Sequence, residues 1–184
     1  MEIRRLSIPD VCIITLQCFE DSRGCFAELF NERLLADRFG LNLPFVQDNL
    51  SRSTSVNTVR ALHFQRPPNA QGKLLRVVRG SIRDIAVDVR RASHTYGQHI
   101  SIDLSEERLE LLWIPPGFAH GFITTAPCTE VNFKTTAYYS PTDEVGIIWN
   151  DPDLQINWGV SGEEAILSER DSCLPPFSKL DSPF

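Results

Sequence analysis

Apolar and polar residues alternate in short runs through the middle of the chain. Residues 73–78 read as a strand, Arg79 and Gly80 as a turn, and 81–89 as a second strand. Successive strand side chains point to opposite faces. Ile85, Val87 and Val89 therefore share one face, and Asp84, Ala86 and Asp88 the other. Further strands are predicted at 98–103, 109–114, 121–125, 130–137 and 146–149, and another at 25–30 after the turn-like Asp21-Ser22-Arg23-Gly24. Strands recurring about every ten residues predict an antiparallel sandwich or barrel. Helix is minor. Asn31 can cap a helix over 32–39, with Leu34, Leu35 and Phe39 inward and Gly40 as its stop. The stretch 168–184, with Pro175, Pro176 and Pro183, reads as an extended arm packed on the barrel.

The chain has 184 residues with no internal repeat or linker, which predicts one domain over 1–184, its barrel core about 19–158 and an arm about 159–184. Hydrophobic residues are 42% and charged residues 23%, so disorder and coiled coil are excluded for the whole chain. The net charge is −6 with no basic stripe, which argues against nucleic acid as a partner. No apolar run approaches the roughly 20 residues of a membrane helix. The five cysteines are odd in number and lack C-x-x-C spacing, so neither a disulfide framework nor a thiolate zinc site is expected. Residues 1–6 lack the apolar core of a signal peptide, and a cytoplasmic location is expected.

Three clusters could carry chemistry. In 60–65, Leu62 and Phe64 share one strand face, while Ala61, His63 and Gln65 share the other. With Lys73, Asp84 and Asp88 they predict a charged barrel interior, since lysine is rarely buried without a partner. In 115–122, prolines and a glycine form a turn that delivers His120 to a strand, and P-x-G-x-x-H resembles the second motif of cupin barrels. A metal is not expected. The spacing gives a His63 and Gln65 pair rather than two histidines, no glutamate follows suitably, and Lys73 adds a repelling cation. His94 and His99 read as surface residues. In the third cluster, Arg23 and Arg60 offer planar forks for phosphate, and one ring of Tyr138 and Tyr139 could stack on a base or pack in the core.

Taken in order, D-x-R-G-x-F-x-E, F-V-Q-D-N, R-x-L-H-F-Q, A-Q-G-K-L, D-I-A-V-D-V-R, W-I-P-x-G-F-A-H-G-F, Y-Y-S-P and W-N-D-P resemble the dTDP-4-dehydrorhamnose 3,5-epimerase family. The resemblance runs from about Phe19 to Trp158, more weakly to Asp171. It implies an all-β, cupin-type jelly-roll barrel, a homodimer, and a dTDP-4-keto-6-deoxyhexose substrate turned over without metal or organic cofactor. His63 matches the family's general base, Asp171 the acid that orients it, and Lys73 the cation beside the sugar C4 oxygen. Arg23, Glu28, Gln47, Asn49, Arg60, His120, Glu144 and Arg170 fall at substrate-binding positions, and Tyr139 at the residue that stacks on thymine. Elementary chemistry agrees with these roles. A C–H beside a ketone is acidic only when its enolate is stabilised, and an imidazole is a base suited to neutral pH.

The chain departs from the pattern at two places. The family acid is a Tyr in Y-K-x-T, and this chain has Phe133 there. Ala61 stands where Gly is common. Phenylalanine has no proton to give, and general acid catalysis contributes about 10²–10⁴ in rate. Three outcomes stay open: inversion of one carbon only, most simply C3; both inversions with a substitute donor such as Tyr138 or an ordered water; or sugar-nucleotide binding without catalysis. A 3,4-ketoisomerase on the same fold is a further alternative.

Overall fold

The computed structural model describes residues 1–40 and 44–184. It opens with β1 (Glu2–Arg5), β2 (Cys12–Thr15) and a hairpin of β3 (Cys18–Asp21) and β4 (Gly24–Ala27). Helix α1 (Glu32–Phe39) follows. Then come β5 (Gln47–Ser53), β6 (Val59–Gln65), β7 (Lys73–Arg79), β8 (Ser81–Asp88), β9 (His99–Ser105), β10 (Glu110–Ile114), β11 (Phe118–Thr124), β12 (Thr129–Thr135) and β13 (Glu144–Gly146). A short helix, α2 (Glu169–Ser172), lies in the C-terminal arm. One sheet has the order β1-β2-β10-β7-β12-β5, and the facing sheet β13-β6-β11-β8-β9. The strand pairs within both are antiparallel, so the structure has the all-β, jelly-roll architecture expected.

Alternation along the strands sorts apolar side chains into three layers. Ile82 and Ala86 of β8 turn inward and meet Leu75, Leu112, Phe122 and Val131 between the sheets. Ile85, Val87 and Val89 turn outward, as the pattern predicts, against Trp149, Leu154 and Trp158 in the segment that leads from β13 into the arm. On the outer face of the other sheet, Ile14, Leu74 and Trp113 are covered by Leu35 of α1 and by Phe45. That helix begins and ends where expected. The Asn31 side chain accepts from Leu34 N, and Gly40 adopts the left-handed conformation and bonds Ala36 O. Leu35 is fully buried and Leu34 half-buried, while the Phe39 side chain lies outside the described residues.

Five expectations are corrected. The strand read at 25–30 is β4, which pairs with β3 in a hairpin. Cys18 and Cys25 are bonded there, with Cα atoms 6.0 Å apart, inside the range a disulfide spans. Cys25 lies opposite Glu20 and so faces the same side as Cys18. A spacing of seven residues reveals that pairing only once the hairpin is known. The strand read at 146–149 is instead Glu144–Gly146, beyond which the chain turns into the arm. Ala61 does not share a face with His63. It packs outward with Leu62 and Phe64, beside a register shift in β11 between His120 and Phe122. Gly121 sits in that shift because a Cβ there would lie 2.4 Å from Ala61 Cβ. Asp88 is not in the interior with His63. It closes the end of β8 by bonding Arg90, Ser93 and Thr95, and these bonds outweigh burial and hold its pKa at about 2.

Candidate active site

Between the two sheets lies a cavity of about 620 Å³. The five-stranded sheet contributes His63 from β6 and His120 from β11, which stand directly across from each other in the strand register. The six-stranded sheet contributes Lys73 and Leu75 from β7, Val131 and Phe133 from β12, and Gln47, Asn49 and Ser51 from β5. Helix α2 brings Asp171 to the same space. Ser168 caps that helix by accepting from Asp171 N at 3.1 Å, which fixes the carboxylate's approach.

His63 Nε2 lies 2.9 Å from Asp171 Oδ1. Burial raises the Asp171 pKa, but the His63 bond and charge outweigh it, helped by the Ala61 N–H and Ser168, so the carboxyl stays below its usual value. An ionised carboxylate only accepts, so Nε2 is the donor and Nδ1 carries the lone pair. The Lys73 Nζ donates to the His63 carbonyl at 3.2 Å. Burial pulls the Lys73 pKa down to about 8, partly opposed by Asp84 and Glu144. His120 Nε2 lies 2.9 Å from Asp84 Oδ2. Burial lowers the His120 pKa and raises that of Asp84, so this second pair is pushed toward its uncharged forms.

The mouth is polar. Tyr139 Oη donates to Glu144 at 2.8 Å, and Arg170 pairs with the same carboxylate. Those two bonds outweigh burial and keep Glu144 below its usual pKa. Gln47 accepts from Tyr139 N at 2.9 Å and donates to Asn49 at 2.7 Å. Arg60 is held on β5 by Ser53 Oγ and the Arg52 carbonyl. These contacts leave a basic and amide-rich entrance above a pair of His–Asp dyads and one buried ammonium.

Of the residues singled out from sequence, the cavity gathers His63, Lys73, Asp171, Phe133, Gln47, Asn49, Arg60, His120, Tyr139, Glu144 and Arg170. Arg23 and Glu28 do not line it. Arg23 is 87% exposed on the β3–β4 hairpin and pairs with Asp21, while Glu28 accepts from Asn31. Gln65 does not share the cavity with His63. It donates to the Asn69 and Tyr138 carbonyls and accepts from Ser140 N, so it ties down the loop that carries Tyr139. Tyr138 is 69% exposed and does not line the cavity. Ser51 and Thr135 line it without having been singled out; alternation along β5 from Gln47 through Asn49 could have found Ser51. Among the described residues no group of three His, Cys, Asp or Glu side chains is placed to hold a metal ion. No described helix is long and apolar enough to cross a membrane.

The family model for dTDP-4-dehydrorhamnose 3,5-epimerase matches residues 5–179. The chain belongs to this family. It is 45% identical over 175 residues to a dTDP-4-dehydrorhamnose 3,5-epimerase of Salmonella typhimurium, covering 95% of this chain and 94% of that one. It resembles a dTDP-6-deoxy-D-glucose-3,5-epimerase of Legionella pneumophila in complex with dTDP-4-keto-L-rhamnose, with a TM-score of 0.92 and 38% identity over 98% of this chain and 94% of that one. It also resembles a 3'-monoepimerase of Streptomyces bikiniensis in complex with dTDP-quinovose, with a TM-score of 0.86 and 27% identity over 95% of this chain and 87% of that one.

Proposed function

We propose that this family member epimerises a dTDP-4-keto-6-deoxyhexose. The observation that carries the reading is the His63–Asp171 dyad beside the Lys73 ammonium in one cavity. In this mechanism His63 Nδ1 takes the proton from the carbon next to the C4 ketone. Asp171 holds the ring in the correct tautomer and supports the imidazolium that forms. Lys73, near the reacting centre, stabilises the enolate oxygen. Only proton transfers are required, and these residues supply the base and the charge without a cofactor. Arg60 and Arg170 suit the pyrophosphate, and Tyr139 with Gln47 suits the thymine end.

Phe133 favours inversion at C3 alone, because the wall facing His63 lacks the acid that a full two-centre reaction uses. A 3'-monoepimerase shares this fold, so single-centre inversion is a chemistry the fold can serve. The protein acts as a homodimer. Arg23 and Glu28 lie away from the cavity of their own chain, and the hairpin exposes Phe19 and Phe26 at 55% and 71%. In a dimer this hairpin reaches the neighbouring cavity and completes the nucleotide site.

Proton NMR of dTDP-4-keto-6-deoxyglucose with the protein in D₂O tests the reading. Deuterium entering at C3 with inversion is the expected result, and the His63→Ala variant loses it. Entry at both C3 and C5 overturns the single-centre reading. A migrated ketone identifies a ketoisomerase, and tight binding without exchange identifies a binding protein.

A further inference from the structure

Residues 136–143 join β12 to β13 and bring Tyr139 to the mouth of the cavity. Tyr139 is 51% exposed, so packing alone does not place its ring. Its backbone is held by two glutamines from opposite sheets. Gln65 of β6 donates from Nε2 to the Tyr138 carbonyl at 3.1 Å. Gln47 of β5 accepts the Tyr139 N–H at 2.9 Å. Gln65 then accepts the Ser140 N–H at 2.9 Å through Oε1. Three consecutive residues are thus tied by side chains, in a segment outside the strand ladders whose backbone groups need partners.

The end group of Gln65 suits this task. Gln65 is buried, and Nε2 also donates to the Asn69 carbonyl at 2.6 Å. A primary amide offers two donors and an acceptor in one plane, and this one uses both kinds. A carboxylate only accepts, and an asparagine is one methylene shorter. Gln65 follows His63 by two residues on β6 and lies opposite Glu144 of β13 in the register. Glu144 in turn receives the Tyr139 phenol at 2.8 Å. One strand pair therefore carries the His63 imidazole, the tie to the Tyr139 backbone and the anchor of its ring.

We infer that Gln65 sets the nucleotide affinity of the cavity through Tyr139, as the β6 half of a two-glutamine clamp. The inference rests on the reading above, in which Tyr139 serves the thymine end. A segment already held in its binding arrangement loses less freedom when the nucleotide arrives, so the clamp strengthens binding without touching the ligand. It also fixes the distance from the His63 imidazole to the Tyr139 ring through paired backbone. Gln65 does not line the cavity and acts through Tyr139, so it is a positioning residue.

The test is calorimetric titration of dTDP into the full chain and its variants, with sugar-proton exchange in D₂O giving kcat and KM. Gln65→Met keeps the length of the side chain and loses its hydrogen bonds. Its dTDP Kd and its KM rise about tenfold, within the loss of one base–aromatic stack, while kcat stays within about twofold. Gln65→Glu keeps the bond from Ser140 but cannot donate to the two carbonyls, and it reads the same rise if Gln65→Met does not fold. Tyr139→Ala raises the Kd by itself, and adding Gln65→Met to it raises the Kd no further, because the residue through which Gln65 acts is gone. An unchanged Kd in both Gln65 variants overturns the inference. Kd increases that multiply in the double variant overturn it too and make Gln65 independent of Tyr139. A kcat that falls as much as KM rises also overturns it and makes Gln65 a general support of the barrel. Tyr139→Ala that binds dTDP like the wild type overturns the thymine-end reading and the inference with it. A wild-type protein that exchanges no sugar proton overturns the epimerase reading alone, and the dTDP titrations still decide the role of Gln65.

Discussion

Two His–Asp pairs face the same cavity, and their surroundings set them apart. Asp171 gains from His63, the Ala61 N–H and the Ser168 cap, and stays ionised. Asp84 is fully buried, and one of its oxygens has no partner among the described residues, so its carboxyl is pushed upward. The first pair is therefore the one prepared to stabilise an imidazolium, and this is why the base is assigned to His63 and not to His120. Lys73 gives this scale its pH dependence. Its ammonium is charged below about 8 and neutral above it. If it stabilises the enolate, kcat/KM falls as pH rises through about 8, by about tenfold for each further unit. A kcat/KM that stays flat to pH 10 removes Lys73 from that role. The stability sign is opposite. Between about 8 and the ordinary lysine value of 10.5 the unfolded chain holds the proton and the folded one does not, so the Lys73 contribution rises with pH across that window.

At the scale of elements, legibility followed hydrophobic contrast. β8 was readable because Ile85, Val87 and Val89 face an arm while Ile82 and Ala86 face the barrel interior, and both faces carry a clear pattern. β5 was not, because Gln47, Asn49 and Ser51 line a polar cavity while Asp48, Leu50 and Arg52 are exposed, so neither face shows an apolar period. The same blindness hid Ser51 and made Gln65 look like a cavity residue, since alternation cannot tell a ligand contact from a loop tie. His63, Lys73 and His120 stood out because charged or titratable groups on otherwise apolar strands are rare. The pairing of β6 with β11 makes its own prediction. Gly121 has room for no Cβ beside Ala61, so Gly121→Ala overpacks the strand pair and costs about 1–3 kcal/mol. For a chain of this size that is a Tm loss of about 2–4 °C per kcal/mol. Ala61→Gly added to Gly121→Ala recovers part of the loss, because it removes the opposing methyl group. Thermal unfolding of Gly121→Ala, Ala61→Gly and the double variant measures the coupling, and strict additivity counts against the contact.

At the scale of the molecule, the open question is how a residue remote from its own cavity could serve it. The β3–β4 hairpin carries an exposed guanidinium, two exposed phenylalanines and a disulfide that ties its strands together. The two phenylalanines stay in water unless something covers them, and a second copy is the occupant proposed above. In the proposed two-fold dimer the contact would be reciprocal, and each cavity would receive Arg23 of the partner subunit. Complementation decides this. His63→Ala and Arg23→Ala homodimers are each expected to be slow, the first for lack of a base and the second for weakened nucleotide binding. Mixed, unfolded and refolded together, they form heterodimers in which one site keeps His63 and receives an intact Arg23. Random reassortment makes about a quarter of all sites complete, so activity at low substrate rises toward about a quarter of the wild-type value. If the mixture shows only the average of its two parents, the hairpin does not act across a dimer, and Arg23 must be removed from the nucleotide site.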